Sequence, residues 1–69
     1  MSGQISIVLN GESRFVEART LLDLVDELGL QQRMIAIERN LEVVPKSQYG
    51  STLIKDNDRI ELVHMIGGG

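Results

Sequence analysis

Ile5-Ser6-Ile7-Val8-Leu9-Asn10-Gly11 and, a few residues on, Thr20-Leu21-Leu22-Asp23-Leu24-Val25 closed by Leu28-Gly29-Leu30 decide the fold. In the first stretch Ile5, Ile7 and Leu9 recur at period two, the mark of a strand with one apolar face. Asn10-Gly11 is the strongest short hairpin signal, because both residue types tolerate the positive φ of a tight turn. Ser13-Arg14-Phe15-Val16-Glu17-Ala18 then reads as the returning strand. In the second stretch Thr20 is placed to cap a helix, and Asp23 three positions on makes a variant of the capping box. The Asp carboxylate also favours the positive end of the helix dipole. Leu21, Leu24, Val25 and Leu28 follow one-sided helical spacing and are predicted to face a sheet. Gly29 is placed to end the helix in a left-handed cap, with Leu30 closing over it. The helix spans about two to three turns.

Outward from this centre, Met34-Ile35-Ala36-Ile37-Glu38 predicts a third strand, Asn40 a turn, and Glu42-Val43-Val44 a short fourth strand that Pro45 stops. Lys46 to Gly50 lacks periodicity and reads as a loop or 3₁₀ turn with Tyr49 as a local plug. Leu53 and Ile54 form an apolar island, and Asp56-Asn57-Asp58 is a turn signal. Arg59 to Met65 alternates as the last strand, Ile60 and Leu62 on one face, Glu61 and Val63 on the other. The chain given ends in Gly67-Gly68-Gly69. The order β, β, α, β, short β, β is an α+β pattern with the helix over one sheet face. It predicts a ubiquitin-like β-grasp roll: a mixed sheet of four to five strands, one main helix and a flexible triglycine tail. Residues 1–66 form the domain and 67–69 the tail. Ile5, Ile7, Leu9, Leu21, Leu24, Val25, Leu28, Ile35, Ile37, Ile60 and Leu62 are assigned to the core. Each is worth roughly 1.5–3 kcal/mol when buried.

Composition narrows the function. The 69 residues hold no cysteine and one histidine, His64, so disulfides are excluded and a zinc site nearly so. Aromatics are 3%, Phe15 and Tyr49 alone, so the core is aliphatic. A net charge of −3 with two aromatics gives neither the basic footprint nor the stacking platforms of a nucleic-acid binder. No apolar run approaches the roughly 20 residues of a membrane span, and no secretory signal is visible, which points to the cytoplasm. No catalytic constellation stands out. His64 has no nucleophile arranged with it, and Asp56 and Asp58 lack the other ligands of a calcium loop. Glu12, Glu17, Asp26, Glu27, Glu38 and Glu42 are scattered as a solvated surface would be. The tail is the exception. On composition alone it fits a frayed end or a cloning scar. Attached to the last strand of this pattern, it reads as a slender reach into a narrow channel of another protein. There glycine permits close backbone approach and presents an unhindered terminal carboxylate.

The whole chain resembles the ThiS family, the sulfur carrier proteins of thiazole (thiamine) biosynthesis. The likeness lies in Leu9-Asn10-Gly11, Thr20-Leu21-Leu22-Asp23-Leu24, Ile35-Ala36-Ile37-Glu38-Arg39-Asn40 and Val43-Val44-Pro45-Lys46-Ser47. The most specific run is from Ile60 through Glu61-Leu62-Val63-His64-Met65-Ile66 to the terminal glycines. Two departures are visible: Asn40-Leu41 where many relatives have Asn-Gly, and Asp56-Asn57-Asp58 where they have Asp-Gly-Asp. Asn also tolerates a left-handed turn, so the second is mild.

The resemblance implies a carrier that acts as co-substrate rather than as an enzyme. The carboxylate of Gly69 would be adenylated by an E1-like (ThiF-type) adenylyltransferase. A cysteine desulfurase or another donor would supply the sulfur of a C-terminal thiocarboxylate, which serves thiazole synthase (ThiG-type). Gly67 and Gly68 would thread both partner active sites. Met65 and Ile66 would pack either in a partner's apolar groove or simply in the core or at the sheet edge. ATP and magnesium would belong to the activating enzyme, no cofactor or metal to this chain, and the free chain would be a monomer. The readings left open beside it are a sulfur carrier subunit of molybdopterin synthase, a ubiquitin-like protein modifier and a non-covalent interaction module.

Overall fold

The computed structural model describes residues 3–31 and 35–64. Strands β1 (Ile5–Leu9), β2 (Glu12–Val16), β3 (Ile35–Arg39), β4 (Glu42–Val44) and β5 (Arg59–His64) form one sheet of order β2-β1-β5-β3-β4. Helix α1 (Leu21–Glu27) lies between β2 and β3, and a 3₁₀ helix (Lys46–Ser51) follows β4. β1 pairs antiparallel with β2 and parallel with β5, while β3 pairs antiparallel with both β4 and β5. This is the β-grasp arrangement: β5, last in sequence, is inserted at the centre between β1 and β3.

Local chemistry explains the elements. Asn10 and Gly11 have φ of 50° and 86°, positive at both central turn positions as a two-residue hairpin of this twist requires. At the start of α1, Thr20 Oγ1 accepts from the Asp23 N–H at 3.1 Å and Asp23 Oδ2 accepts from the Thr20 N–H at 3.3 Å, so the capping box forms. At its end Gly29 takes φ 71°. The Gly29 N–H donates to Asp26 O and the Leu30 N–H to Val25 O, the double bond of a Schellman cap. α1 has seven residues, about two turns, the short end of the expected length.

The core lies between α1 and one sheet face. Ile7, Leu21, Leu24, Val25, Ile37 and Ile60 are buried as predicted; Ile5, Leu9, Leu28, Ile35 and Leu62 are half-buried around them. Val16, Ala18 and Ile54 join the core without having been assigned to it, and Tyr49 is the predicted plug. Burial pushes the Tyr49 hydroxyl pKa up, with a backbone hydrogen bond at Ile37 acting against it.

Several boundaries move: β2 begins at Glu12 rather than Ser13, and the 3₁₀ segment runs to Ser51 rather than Gly50. β2 ends at Val16 rather than Ala18, because Val16 is the partner of Ile5, the first residue of β1. Beyond it Glu27 Oε1, on α1, accepts from the Glu17 and Ala18 N–H groups at 3.1 and 2.9 Å, replacing a strand partner with a carboxylate. β3 begins at Ile35 and runs to Arg39, one residue later than the predicted end; Met34 lies outside the described residues. The island at Leu53 and Ile54 splits. Ile54 enters the core and donates to Arg19 O, while Leu53 bridges Thr20 and stays exposed.

Candidate functional site: the central strand and its exit

The expected site residues Met65, Ile66, Gly67, Gly68 and Gly69 lie outside the described residues, as does the boundary between domain and tail. What the structure supplies is the strand that leads to them. β5 is held at its start from both sides. The Val8 N–H donates to Asp58 O and the Asn10 N–H to Ile60 O, each at 2.9 Å. On the other flank the Asn40 N–H donates to Arg59 O at 2.8 Å, and the Arg59 N–H donates to Asn40 Oδ1 at 2.9 Å. Ile60 is fully buried beneath α1.

Past Ile60 the β1 register stops, because β1 ends at Leu9 and turns away. The Asn10 side chain takes over for one bond, its Oδ1 accepting from the Leu62 N–H at 2.8 Å. β3 continues alongside β5 to its last described residue, Ile35 standing opposite His64. The two turn asparagines therefore do more than permit positive φ: each spends its amide on β5.

The base of β5 is fixed by Asp58, which sequence reading took for a turn residue. It is buried, 7% exposed, and its carboxylate accepts from Arg39 Nε at 2.8 Å, the Lys55 N–H at 2.8 Å and Asn40 Nδ2 at 3.1 Å. Burial works to raise its pKa. The Lys55, Asn40 and Arg39 hydrogen bonds and the Arg39 charge outweigh it and hold the carboxyl below its ordinary value. Asp56 Oδ1 accepts from the Ser6 N–H at 2.8 Å. Both carboxylates of the Asp56–Asp58 pair are thus engaged in loop anchoring. The signal was available in principle: Arg39-Asn40 and Asp58 are complementary in charge and donors, but nothing local in sequence brings them together.

No group of three or more His, Cys, Asp or Glu side chains that could hold a metal ion occurs among the described residues. His64 is exposed at the end of β5. Shallow surface depressions of about 280 Å³ at Leu9, Glu12, Ser13 and Arg14 and about 210 Å³ at Asn40, Leu41 and Arg59 contain no acid–base pair suited to catalysis. No helix among the described residues is long and apolar enough to cross a membrane. The sheet face away from α1 carries Glu38 directly opposite Glu61, with exposed Val43 and Val63 alongside.

Known proteins share both sequence and architecture with this chain. The ThiS family matches residues 5–69. A thiazole synthase of Paramagnetospirillum magneticum is 47% identical over 66 residues, which cover 94% of this chain and 20% of that protein. The chain spans the same one-fifth share, 20%, of a thiazole synthase from Magnetococcus marinus, at 44% identity. The sulfur carrier protein ThiS of Bacillus subtilis is 38% identical over 50 residues, 72% of this chain and 76% of its own. The crystal structure of a thiamine biosynthesis protein (ThiS) from Geobacter metallireducens superposes with a TM-score of 0.82 at 26% identity, covering 94% of this chain and 100% of that one. A sheet with its last strand at the centre, a capped helix over one face and this sequence likeness together place the chain in the ThiS family.

Proposed function

We propose that this chain is a sulfur carrier for thiazole formation in thiamine biosynthesis, with the sulfur borne on the carboxyl carbon of Gly69. The observation that carries the reading is the family match, which runs through the three glycines to Gly69. The relatives named sulfur carrier protein ThiS support it.

The chemistry follows from the terminus. A free carboxylate is resonance-stabilised and resists nucleophiles. An E1-like enzyme of the ThiF type uses ATP and magnesium to join the Gly69 carboxylate to AMP, releasing pyrophosphate. A persulfide from a cysteine desulfurase or another donor then attacks the acyl carbon through its terminal sulfur and expels AMP. A thiol opens the resulting acyl disulfide and leaves the thiocarboxylate on Gly69. Thiazole synthase of the ThiG type receives this sulfur. The two thiazole synthase relatives support that pairing, since each holds a segment like this chain within one longer polypeptide. The chain is a co-substrate of its partners and binds no cofactor itself. Gly67 and Gly68 give the reach, and Met65 and Ile66 seat the base of the tail against a partner.

Intact mass spectrometry tests the reading. The protein is incubated with ATP, magnesium, the activating enzyme and a sulfur donor, beside a chain lacking Gly69. A gain equal to replacing one oxygen by sulfur, absent from the deletion, is the expected result. No gain with a demonstrably active enzyme and donor refutes it.

A further inference from the structure

We propose that the free edge of β2 pairs antiparallel with the same edge of a second copy, about a two-fold axis at Ser13. β2 is the outer strand on its side of the sheet. The Val8 N–H points to Asp58 on β5's side, so Val8 and its partner Ser13 form a non-bonded pair within the β1–β2 hairpin. By the same alternation Ser13 and Phe15 aim their backbone N–H and C=O groups outward from the sheet. Such an unpaired row is a template for another strand. The opposite edge is protected: β4 has three residues and is stopped by Pro45. β2 has five, four of them exposed, and no proline.

Side chains select the occupant and the register. Pairing two β2 edges through their outward groups allows four two-fold registers, centred on Glu12, Ser13, Arg14 or Phe15. Centring on Glu12 or on Arg14 sets that charge against its own copy. Centring on Phe15 needs the backbone beyond Val16, where the Glu17 and Ala18 N–H groups are already bonded to Glu27. Centring on Ser13 sets Glu12 opposite the copy's Arg14 and Arg14 opposite the copy's Glu12, two opposite-charge pairs from one strand. Among the described residues the ion pair formed is Arg39–Asp58, and neither Glu12 nor Arg14 takes part in one there. Phe15, 67% exposed, then lies opposite the copy's Gly11, where there is open space above the backbone. An aromatic ring laid over a glycine in this way is a known means of covering strand edges.

The contact is one short strand from each copy, far below the roughly 1,200 Å² of a stable interface, so the association is weak and concentration-dependent. It replaces the expected free monomer with a monomer–dimer equilibrium. It also leaves β5 untouched, two positions away in the sheet, and so stands apart from the carrier reading.

Ser13→Cys tests the axis in a chain that has no cysteine of its own. Directly opposite residues of a bonded antiparallel pair have Cα atoms about 5.5 Å apart, within the span of a disulfide. Under mild oxidation this variant is expected to form disulfide dimers about tenfold faster than Ser47→Cys, an exposed control on the 3₁₀ helix. Adding Glu12→Arg should remove the advantage, and adding Arg14→Glu as well should restore it. In the unmodified chain, amide shifts of Ser13 and Phe15 should move with concentration more than that of Arg14, whose N–H faces β1. Equal rates for the two cysteine variants, insensitivity to the charge swaps, or amide shifts independent of concentration overturn the proposal. So does protection of the β2 edge only when a different protein is added.

Discussion

Replacing Asp58 tests whether the base of β5 is held as the geometry states. The carboxylate accepts three hydrogen bonds, from Arg39 Nε and the Lys55 N–H at 2.8 Å and from Asn40 Nδ2 at 3.1 Å. Bonds to a charged group contribute about 1.5–3 kcal/mol each and are not additive, because Arg39 can turn to water when its partner is lost. Asp58→Ala is therefore expected to cost about 2–4 kcal/mol at neutral pH, with the Lys55 N–H the group left worst off. Domains of this size have only about 5–10 kcal/mol to lose, so the variant sits near half of the total. Urea denaturation read by circular dichroism measures it.

The pH dependence is a second check on the same carboxyl. Its folded-state pKa is held below the ordinary value, so its contribution is fully present above the unfolded pKa, near 3.9. The contribution is lost as pH falls through the lower folded value. Asp58→Asn keeps the shape and removes the charge. The gap between it and the natural chain should be constant from pH 7 to about 5 and narrow below about 4. An Asp58→Ala cost under about 1 kcal/mol, or an Asn gap that widens in acid, refutes the anchoring argument.

Other outcomes follow from the turns, the cap and the tail. Leu41→Gly should stabilise the fold by about 0.5 kcal/mol, seen as a higher urea midpoint: relief of a left-handed Cβ returns about 1–2 kcal/mol against about 0.5–1 lost to glycine's freedom. Leu41 has φ 73° and is 73% exposed, so little packing is removed. Gly11→Leu, at the matching position of the other hairpin, should lower the midpoint in the same assay. Thr20→Ala should cost about 1 kcal/mol through the lost cap, seen as a lower melting temperature. Gly68→Leu should leave the melting temperature unchanged and block the mass gain in the activation reaction; a lowered melting temperature with normal activation would place that glycine in folding instead.

The sequence carried the architecture because its strongest local signals agree with the tertiary result. Asn10-Gly11, the Thr20–Asp23 box and Gly29 each adopt the geometry their chemistry favours, and the period-two and helical patterns point the same side chains inward. The boundaries that moved did so where a distant group intervened. Glu27 on α1 caps the end of β2, a contact nine and ten residues long that no strand pattern encodes. Leu41 shows the limit of turn chemistry: a leucine takes positive φ because the β3–β4 register leaves two residues for the turn. Of the candidate site, the expected tail of three glycines lies outside the described residues, and the strand leading to it was legible by its alternation. The support beneath β5 was not, because Asn40 and Asn10 reach that strand across 19 and 52 residues, and Asp58 at its base meets Asn40 and Arg39 across 18 and 19. Each looks like an ordinary turn residue in sequence.

In the proposed carrier role, these buried and half-buried polar contacts serve to aim the end of the chain. The reacting atom in the proposed chemistry belongs to a terminus that must enter other proteins' active sites, so the domain's task is to direct that terminus. A central strand suits this because it is fixed from both sides. Among the described residues β5 is bonded to β1 and β3 through Ile60, then to β3 and the Asn10 side chain at Leu62, then to β3 at His64. Restraint declines stepwise along the strand. Firm anchorage at Asp58 and Ile60 sets the direction of the strand as far as His64. An edge strand would give the same length of chain without the fixed direction, and a tail set on a loop would give neither.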